Sequence, residues 1–346
     1  MRKHFLICLC VLLAFSFSAF ATAYLPFTYD IRSGVGVTEQ RRLSDYLDAL
    51  RYTPGDTPVF VLDSGKAGAN VLVLGGTHAN EISGIMAAIL LVERASVETG
   101  RLFVIPFTNG SAITWRDNKN AVIPPWFEFT TPSGVRRLPY GSRLTNPEHE
   151  ILPDPERFYL ENGIPLDGSE ARNLNRVHPG LPDGTLTQRI SAAITSLIFE
   201  EEIDLVDDFH ESGTKSRLAY MLVCNPKNLD LGAFAIIDLQ MQGIDLKLEE
   251  SSAEFLGLSH REFGDKTPAF AFLFETPNPG QDSDLKQPPD VVNDLIYPLY
   301  HRVSLQVAVL QTLCQYLPDF TGKTIEIVNI PPFEVLNSER LYDYYQ

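Results

Sequence analysis

Three polar clusters in the sequence carry residues that bind metal ions or move protons. His78 and Glu81 form a His-x-x-Glu pair, His210 precedes Glu211, and Glu275 follows an apolar run. Two histidines and a glutamate are a common ligand set for a catalytic zinc ion, which keeps a fourth position open for water. A carboxylate that does not bind the metal can accept a proton from that water, and Glu275 is the candidate. Each cluster alone also fits a hydrogen-bonded structural role.

The position of the clusters favours a shared metal, because each follows an apolar run typical of a buried strand. These runs span residues 71–74, 203–209 and 269–274. A helical pattern at 82–92 and a strand at 102–106 follow the first run, which is the length of a βαβ unit with parallel strands. Sites in such sheets form at the carboxyl ends of the strands. The sequence predicts an α/β fold with a mixed, mainly parallel central sheet and helices on both faces.

Further patterns complete the expected single domain, residues 24–346. A hairpin-like turn is expected at 64–70. The remaining apolar patterns predict helices over 39–50, 187–201, 229–241 and 290–317, and strands over 58–63, 218–224, 244–248, 324–328 and 333–336.

Residues Asn109–Pro182 interrupt this regularity with a long loop excursion rich in Pro, Gly, Asn, Arg and Tyr. Long loops in compact domains often carry function, and we expect this one to be ordered. It contains Glu170-Ala-Arg-Asn-Leu-Asn-Arg-Val-His-Pro-Gly180. Arginines and amides in this density suit recognition of a carboxylate, since the arginine fork binds carboxylates through two hydrogen bonds. A loop held by its own polar side chains is the alternative.

Residues 1–23 have the three parts of a secretory signal peptide, a basic start, an apolar middle and an Ala-Thr-Ala end. We expect cleavage after Ala23 and a secreted or periplasmic protein without stable membrane insertion, with a retained N-terminal anchor as the alternative. These residues hold two of the 28 basic and none of the 44 acidic residues, which leaves a formal charge of −18. Such a surface disfavours nucleic acid as a partner.

Only Cys224 and Cys314 follow the expected cleavage site, which excludes a disulfide scaffold. One bridge is permitted in an oxidising compartment. Because both cysteines lie in apolar patterns, buried free thiols are favoured.

Four motifs together resemble the zinc carboxypeptidase clan, and within it the succinylglutamate desuccinylase/aspartoacylase branch. In chain order they are Gly-Gly-x-His-Ala-Asn-Glu-x-x-Gly, Asn-Leu-Asn-Arg-x-x-Pro-Gly, Asp-Phe-His-Glu and Phe-Glu-Thr, between Val71 and Pro279. The resemblance implies one zinc ion bound by His78, Glu81 and His210.

The resemblance also implies roles for residues outside the metal set. It makes Glu275 the general base and later the general acid, and it assigns a substrate carboxylate to Asn175 and Arg176. An arginine is expected to stabilise the oxyanion. Arg143 is the first choice for that role, and the other candidates are Arg116, Arg137 and Arg172.

The chain departs from the family at His178, where an aromatic residue is usual. No motif fixes the tyrosine that carboxypeptidases place near the substrate; His260 or Arg261 is a candidate substitute, and a loop with a surface ion pair is the alternative. Asp208, on the same side of its strand as His210, is favoured over Asp207 as the carboxylate that orients the imidazole.

These observations predict an exported zinc amidohydrolase that cleaves an amide bond next to a free carboxylate. The expected substrate is a small peptide or an N-acyl amino acid. A catalytically inactive module that binds carboxylates or peptides on the same fold is the alternative. A serine hydrolase is set aside, because the sequence has no Gly-x-Ser-x-Gly elbow.

Overall fold

The computed structural model describes residues 29–116, 122–283, 285 and 287–346, so the predicted signal peptide lies outside the described residues. The strands are β1 Glu39–Arg42, β2 Pro58–Asp63, β3 Asn70–Leu74, β4 Ser96–Thr99, β5 Arg101–Ile105, β6 Trp126–Thr131, β7 Gly134–Pro139, β8 Arg157–Tyr159, β9 Pro165–Asp167, β10 Leu205–Gly213, β11 Met221–Cys224, β12 Lys247–Glu250, β13 Phe270–Asn278 and β14 Glu326–Val328. The α-helices are α1 Ile82–Arg94, α2 Leu186–Glu200, α3 Leu229–Met241, α4 Ser259–Lys266, α5 Leu299–Thr321 and α6 Phe333–Leu336.

An eight-stranded sheet in the order β1-β2-β5-β3-β10-β13-β11-β12 forms the centre of the molecule. Its four middle strands, from β5 to β13, are parallel to one another. The strands β1, β2 and β11 pair antiparallel to their inner neighbours, and β12 is parallel to β11. The predicted mixed, mainly parallel sheet is confirmed, including the β3-α1-β5 unit.

Both faces of the sheet are covered, which explains why the middle strands read as continuous apolar runs. In β3, Val71 and Val73 belong to the hydrophobic core that includes α1, α3 and α5, while Leu72 and Leu74 belong to the core that includes α2 and α4. All four side chains are fully buried. The alternation fixes which face each later residue of a strand occupies.

The backbone requires glycine at two positions between the end of β3 and the first turn of α1. Gly76 has a positive φ of 65°, which residues with a Cβ rarely adopt. A Cβ on Gly84 would lie 2.7 Å from the carbonyl oxygen of Phe209 in β10. Glycine therefore lets the first turn of α1 rest directly on the strand that carries His210.

Several expected elements differ in the structure. Residues 39–50 form β1 and two 3-10 helices instead of one helix, because Arg42 is already paired with Pro58 in the sheet. The turn at 64–70 is not a hairpin, since β5 lies between β2 and β3. Residues 333–336 are helical, and β14 pairs with β4 instead. The last long helix begins at Leu299 rather than at residue 290.

The excursion between residues 109 and 182 is ordered where it is described, and it has secondary structure of its own. It contains the antiparallel hairpins β6-β7 and β8-β9 and short 3-10 helices at Gly168–Arg172 and Leu174–Arg176.

Cys224 and Cys314 are free and buried, as the sequence favours. Within the described part of the chain, we find no helix whose length and apolar character would suit a membrane span.

Candidate metal centre

His78, Glu81 and His210 meet near the carboxyl ends of the central parallel strands. Each offers one possible ligand atom, and these three atoms lie within 4.8 Å of one another. Glu81 Oε1 is 2.7 Å from His78 Nδ1, and Glu81 Oε2 is 2.8 Å from His210 Nδ1. All three side chains are buried. Glu81 precedes the first residue of α1, while His210 lies within β10, so the helix start and the strand together fix the group.

Asn173 determines which nitrogen of His78 faces the group. Its Oδ1 is 2.8 Å from His78 Nε2, and its Nδ2 donates to Glu170 over 2.7 Å. Because the amide nitrogen faces a carboxylate, the amide oxygen must face the ring. An oxygen acceptor at Nε2 favours the proton there and leaves the Nδ1 lone pair directed at Glu81.

His210 has a comparable partner in Asp208, two residues earlier on the same face of β10. Asp208 Oδ2 lies 3.0 Å from His210 Nε2, an ion-pair distance, although the ring nitrogen is not aligned for a regular hydrogen bond. Burial opposes a charge on the ring, but the Asp208 and Glu81 carboxylates raise the pKa of His210 well above its usual value. Asp207 faces the other side of the sheet, where burial raises its pKa.

The chemistry of this donor set fits a zinc ion. Both imidazoles present Nδ1 to one carboxylate, and each Nε2 faces an oxygen acceptor, as ligating histidines do. Although burial opposes it, His78 and His210 lower the pKa of Glu81, which keeps the carboxylate ionised. Two imidazoles and one carboxylate are the ligand types of catalytic zinc sites.

Glu275 stands opposite His210 on the neighbouring strand β13, as its parallel register partner. One carboxylate oxygen, Oε2, is buried without a hydrogen-bond partner among the described residues. Burial and the nearby Glu81 carboxylate raise the pKa of Glu275 to about 8. A carboxyl group in this state is suited to exchange a proton near neutral pH.

Glu170 holds two arginines at the same cavity. Its Oε1 is 3.1 Å from Arg143 Nη1, and its Oε2 is 3.5 Å from Arg176 Nε. Burial, with the positive charge of Arg143, lowers the pKa of Arg176 to about 10, so the side chain stays charged at neutral pH. Glu170 thus keeps two like charges close together.

Of the four arginines considered for the oxyanion, the structure places Arg143 at the cavity beside His78 and Glu275. Arg116 donates to the carbonyl oxygen of Ile123. The last two are engaged elsewhere, Arg137 with Glu128 across β6-β7 and Arg172 with Asp154.

Asn175 and His260 also line the cavity, and Ser259 connects Asn175 to Asp208. Asn175 Oδ1 accepts from the Ser259 backbone nitrogen at 2.8 Å, and the Ser259 hydroxyl donates to Asp208. His260 Nε2 is 2.9 Å from the Ser251 hydroxyl. Of the two possible tyrosine substitutes, His260 reaches the cavity, while Arg261 pairs with Asp265.

A buried ion pair beneath the donors was not anticipated from the sequence. Glu211 faces α5, where Arg302 donates to it, and Glu211 Oε2 accepts from the Ser83 backbone nitrogen at 3.1 Å. Gln306 Nε2 donates to the carbonyl oxygen of His210 at 2.8 Å. One sequence feature could have indicated this pair. Arg302 is a charged residue directly before the apolar run of α5, where it needs a buried partner.

The cavity beside these residues has a volume of about 470 Å³, within the range of small-molecule sites. Its lining includes His78, Glu81 and Glu275, together with Arg143 and Arg176. Apolar side chains of the excursion and of the segment before α4 also line it.

No protein-family model matches the chain. The curated N-alpha-acetyl-L-2,4-diaminobutyric acid deacetylase of Halomonas elongata is 28% identical over 158 residues, which are 45% of this chain and 32% of the deacetylase. The ectoine utilization protein EutE (DoeB) from Ruegeria pomeroyi aligns over 78% of this chain and 62% of its own, with 19% identity and a TM-score of 0.45. A succinylglutamate desuccinylase/aspartoacylase from Rhodobacter sphaeroides aligns over 76% and 59%, with 16% identity and a TM-score of 0.44.

The chain therefore spans about a third of the curated relative and about three fifths of these two solved chains. Its central sheet and helices make it a mixed α/β protein. It is similar to a solved succinylglutamate desuccinylase/aspartoacylase, and the four motifs resemble the same branch.

Proposed function

We propose that this chain is a zinc-dependent amidohydrolase that cleaves an amide bond next to a free carboxylate. The observation that carries the proposal is the buried group of His78, Glu81 and His210 beside a cavity that also holds the unpaired Glu275 oxygen. These three residues would hold the zinc ion. A bound zinc ion lowers the pKa of water and polarises a carbonyl group.

Glu275 is the group through which the proton passes. Hydrolysis adds water across the amide carbon–nitrogen bond and gives a carboxylic acid and an amine. Glu275 accepts a proton from water as the carbon–oxygen bond forms, and it returns that proton to the leaving nitrogen as the carbon–nitrogen bond breaks. Its raised pKa and the unpaired Oε2 support this role.

The polar residues of the excursion fix the substrate. Arg176 and Asn175 hold the free carboxylate, and the Asn175 amide nitrogen is the donor left over after its oxygen binds Ser259. Arg143 is the donor for the negative charge that develops on the carbonyl oxygen. Glu170 supports both arginine roles, because it contacts both guanidinium groups.

Peptides and N-acyl amino acids both carry the required amide and carboxylate, so the proposal covers a carboxypeptidase and a deacylase. The curated deacetylase and the desuccinylase/aspartoacylase act, by their names, as deacylases. Export to the periplasm or the medium is part of the proposal and rests on the pattern of residues 1–23.

Zinc content and hydrolysis, measured on the same preparation, test the proposal. We expect about one zinc ion per chain, its loss in His210→Ala, and release of free amine from N-acyl amino acids or peptides with a free carboxylate. Protein that folds without zinc, or zinc-loaded protein that is inert on both substrate classes, would instead favour a carboxylate-binding module.

A further inference from the structure

The lining of the cavity includes apolar side chains from two separate segments. Leu160, Ile164 and Leu166 come from the β8-β9 hairpin, and Phe255 and Leu258 come from the segment before α4. The segments meet directly, because Asn162 Nδ2 at the hairpin tip donates to the carbonyl oxygen of Glu254 over 3.2 Å. We call these five apolar side chains the hairpin wall.

The hairpin wall is open to solvent although it is apolar. Ile164 is 36% exposed and Phe255 is 37% exposed. A ligand that covers exposed apolar side chains lowers the free energy by about 25 cal/mol per Å² of apolar area removed from water.

The positive charges of the cavity are sufficient for one carboxylate. Its lining includes three arginines and no lysine among the described residues. Arg217 is already bound by Glu249 through two contacts, one of them 3.0 Å between Nη2 and Oε1. Arg143 and Arg176 share Glu170, which leaves one net positive charge between them.

The remaining charge near the wall is negative. Glu254 lines the cavity and is exposed, whereas Glu249 is paired with Arg217. A second carboxylate placed against the wall would lose its hydration without gaining a cation, and it would face Glu254. An apolar group at the same place meets only matching side chains.

We propose that the substrates are amides with a single carboxylate and an apolar group, acyl chain or side chain, which lies against the hairpin wall. Dicarboxylic substrates such as succinyl or aspartyl amides are disfavoured. This inference rests on the proposed function and names the substrate class of the same site.

Two matched substrate pairs test the inference with zinc-loaded protein. N-butanoyl-leucine is compared with N-succinyl-leucine, and with N-butanoyl-aspartate. We expect kcat/KM to be at least tenfold higher for the apolar member in one pair or both. Equal values in both pairs, or a preference for the dicarboxylic member in either, overturns the inference.

Binding of the same compounds to the zinc-loaded Glu275→Gln variant gives a second readout by calorimetry. The dissociation constants should follow the same order even if the wild-type protein hydrolyses none of the compounds. An inert enzyme with this order of binding would contradict the proposed hydrolysis and keep the substrate class. Failure of all compounds to bind contradicts both.

A charge placed in the wall should change the preference. Phe255→Arg supplies the missing cation at an already exposed position, so we expect it to lower kcat/KM for N-butanoyl-leucine and raise it for N-succinyl-leucine or N-butanoyl-aspartate, reducing the ratio at least tenfold. Leu152→Arg, in the excursion but away from the cavity lining, is the control and should leave the ratio unchanged. An unchanged ratio in a folded Phe255→Arg variant overturns the inference.

Discussion

His210 and Glu275 occupy the same level of the sheet, since they are register partners on the parallel strands β10 and β13. Both strands continue past these residues, to Gly213 and Asn278, so neither side chain lies in a loop. The proposed metal donor and the proposed proton acceptor thereby lie on two strands joined by backbone hydrogen bonds. Their separation does not depend on the conformation of a loop.

The Glu275→Gln variant should retain zinc and lose turnover. The amide has the size of the carboxyl group but cannot accept the proton, and general base catalysis contributes about 10²–10⁴-fold to a rate. We expect kcat to decrease by a factor of about 10²–10⁴, while the zinc content stays near one ion per chain. A variant with near-normal kcat would remove Glu275 from the mechanism.

The Asn173→Ala variant should weaken zinc binding although Asn173 is not a proposed ligand. Its side-chain oxygen orients His78, and loss of such a partner commonly lowers metal affinity by about 10–100-fold. Competition with a chromophoric chelator measures the affinity. Asn293→Ala, at an exposed turn, is the matched control and should bind zinc as the wild type does. Equal affinity in both variants would show that Asn173 does not orient the ring.

The Arg176→Ala variant should discriminate between free and amidated substrates. A charged hydrogen bond to a carboxylate contributes about 1.5–3 kcal/mol, so KM should rise about 10- to 100-fold for substrates with a free carboxylate. Substrates whose carboxylate is amidated should change little. Arg137→Ala, on the exposed β6-β7 hairpin, serves as the control. An equal effect on both substrate types would contradict the assignment.

Acid should destabilise the fold through His178, a buried ring that packs against Phe263 with ring centroids 4.6 Å apart. Burial lowers the pKa of His178 to about 4, below the value near 6.5 of an unfolded chain. The contribution of the neutral ring to the free energy of unfolding is complete above about pH 6.5. It is lost as the pH falls towards 4, a change on the order of 3 kcal/mol.

The His178→Phe variant removes this titration and keeps an aromatic ring at the position. Urea unfolding at pH 7.5 and pH 4.5 measures the effect. The variant should lose less stability than the wild type between these two conditions. An identical loss in both proteins would mean that His178 does not carry the acid sensitivity.

The sequence was most informative where local pattern and fold agree. The apolar strand at Val71–Leu74 and the helix after Glu81 were predictable, because a parallel sheet covered on both faces requires continuous apolar runs. The order of the strands was not predictable from local pattern. The insertion of β5 between β2 and β3 depends on pairing between distant segments, and this is why the expected hairpin at 64–70 was wrong.

In the site, residue type and position were sufficient to predict that His78, Glu81 and His210 lie together, but not which residues contact them. Histidine and glutamate directly after apolar runs are conspicuous, whereas Asn173 and Glu170 resemble any polar loop residues. Their contacts with His78 and Arg176 exist only because the excursion folds back over the sheet edge. Such contacts between distant segments leave no periodic trace in a sequence.

The β8-β9 hairpin has a consequence for how this scaffold can diverge. It is a terminal outgrowth of the excursion, and its strands pair with each other but not with the central sheet. Insertions or replacements between Arg157 and Asp167 would therefore alter the wall of the cavity without disturbing the strands that hold His210 and Glu275. Replacement of this one surface hairpin is therefore a route by which related proteins could change the ligand that the cavity accepts, while the proposed catalytic residues stay in place.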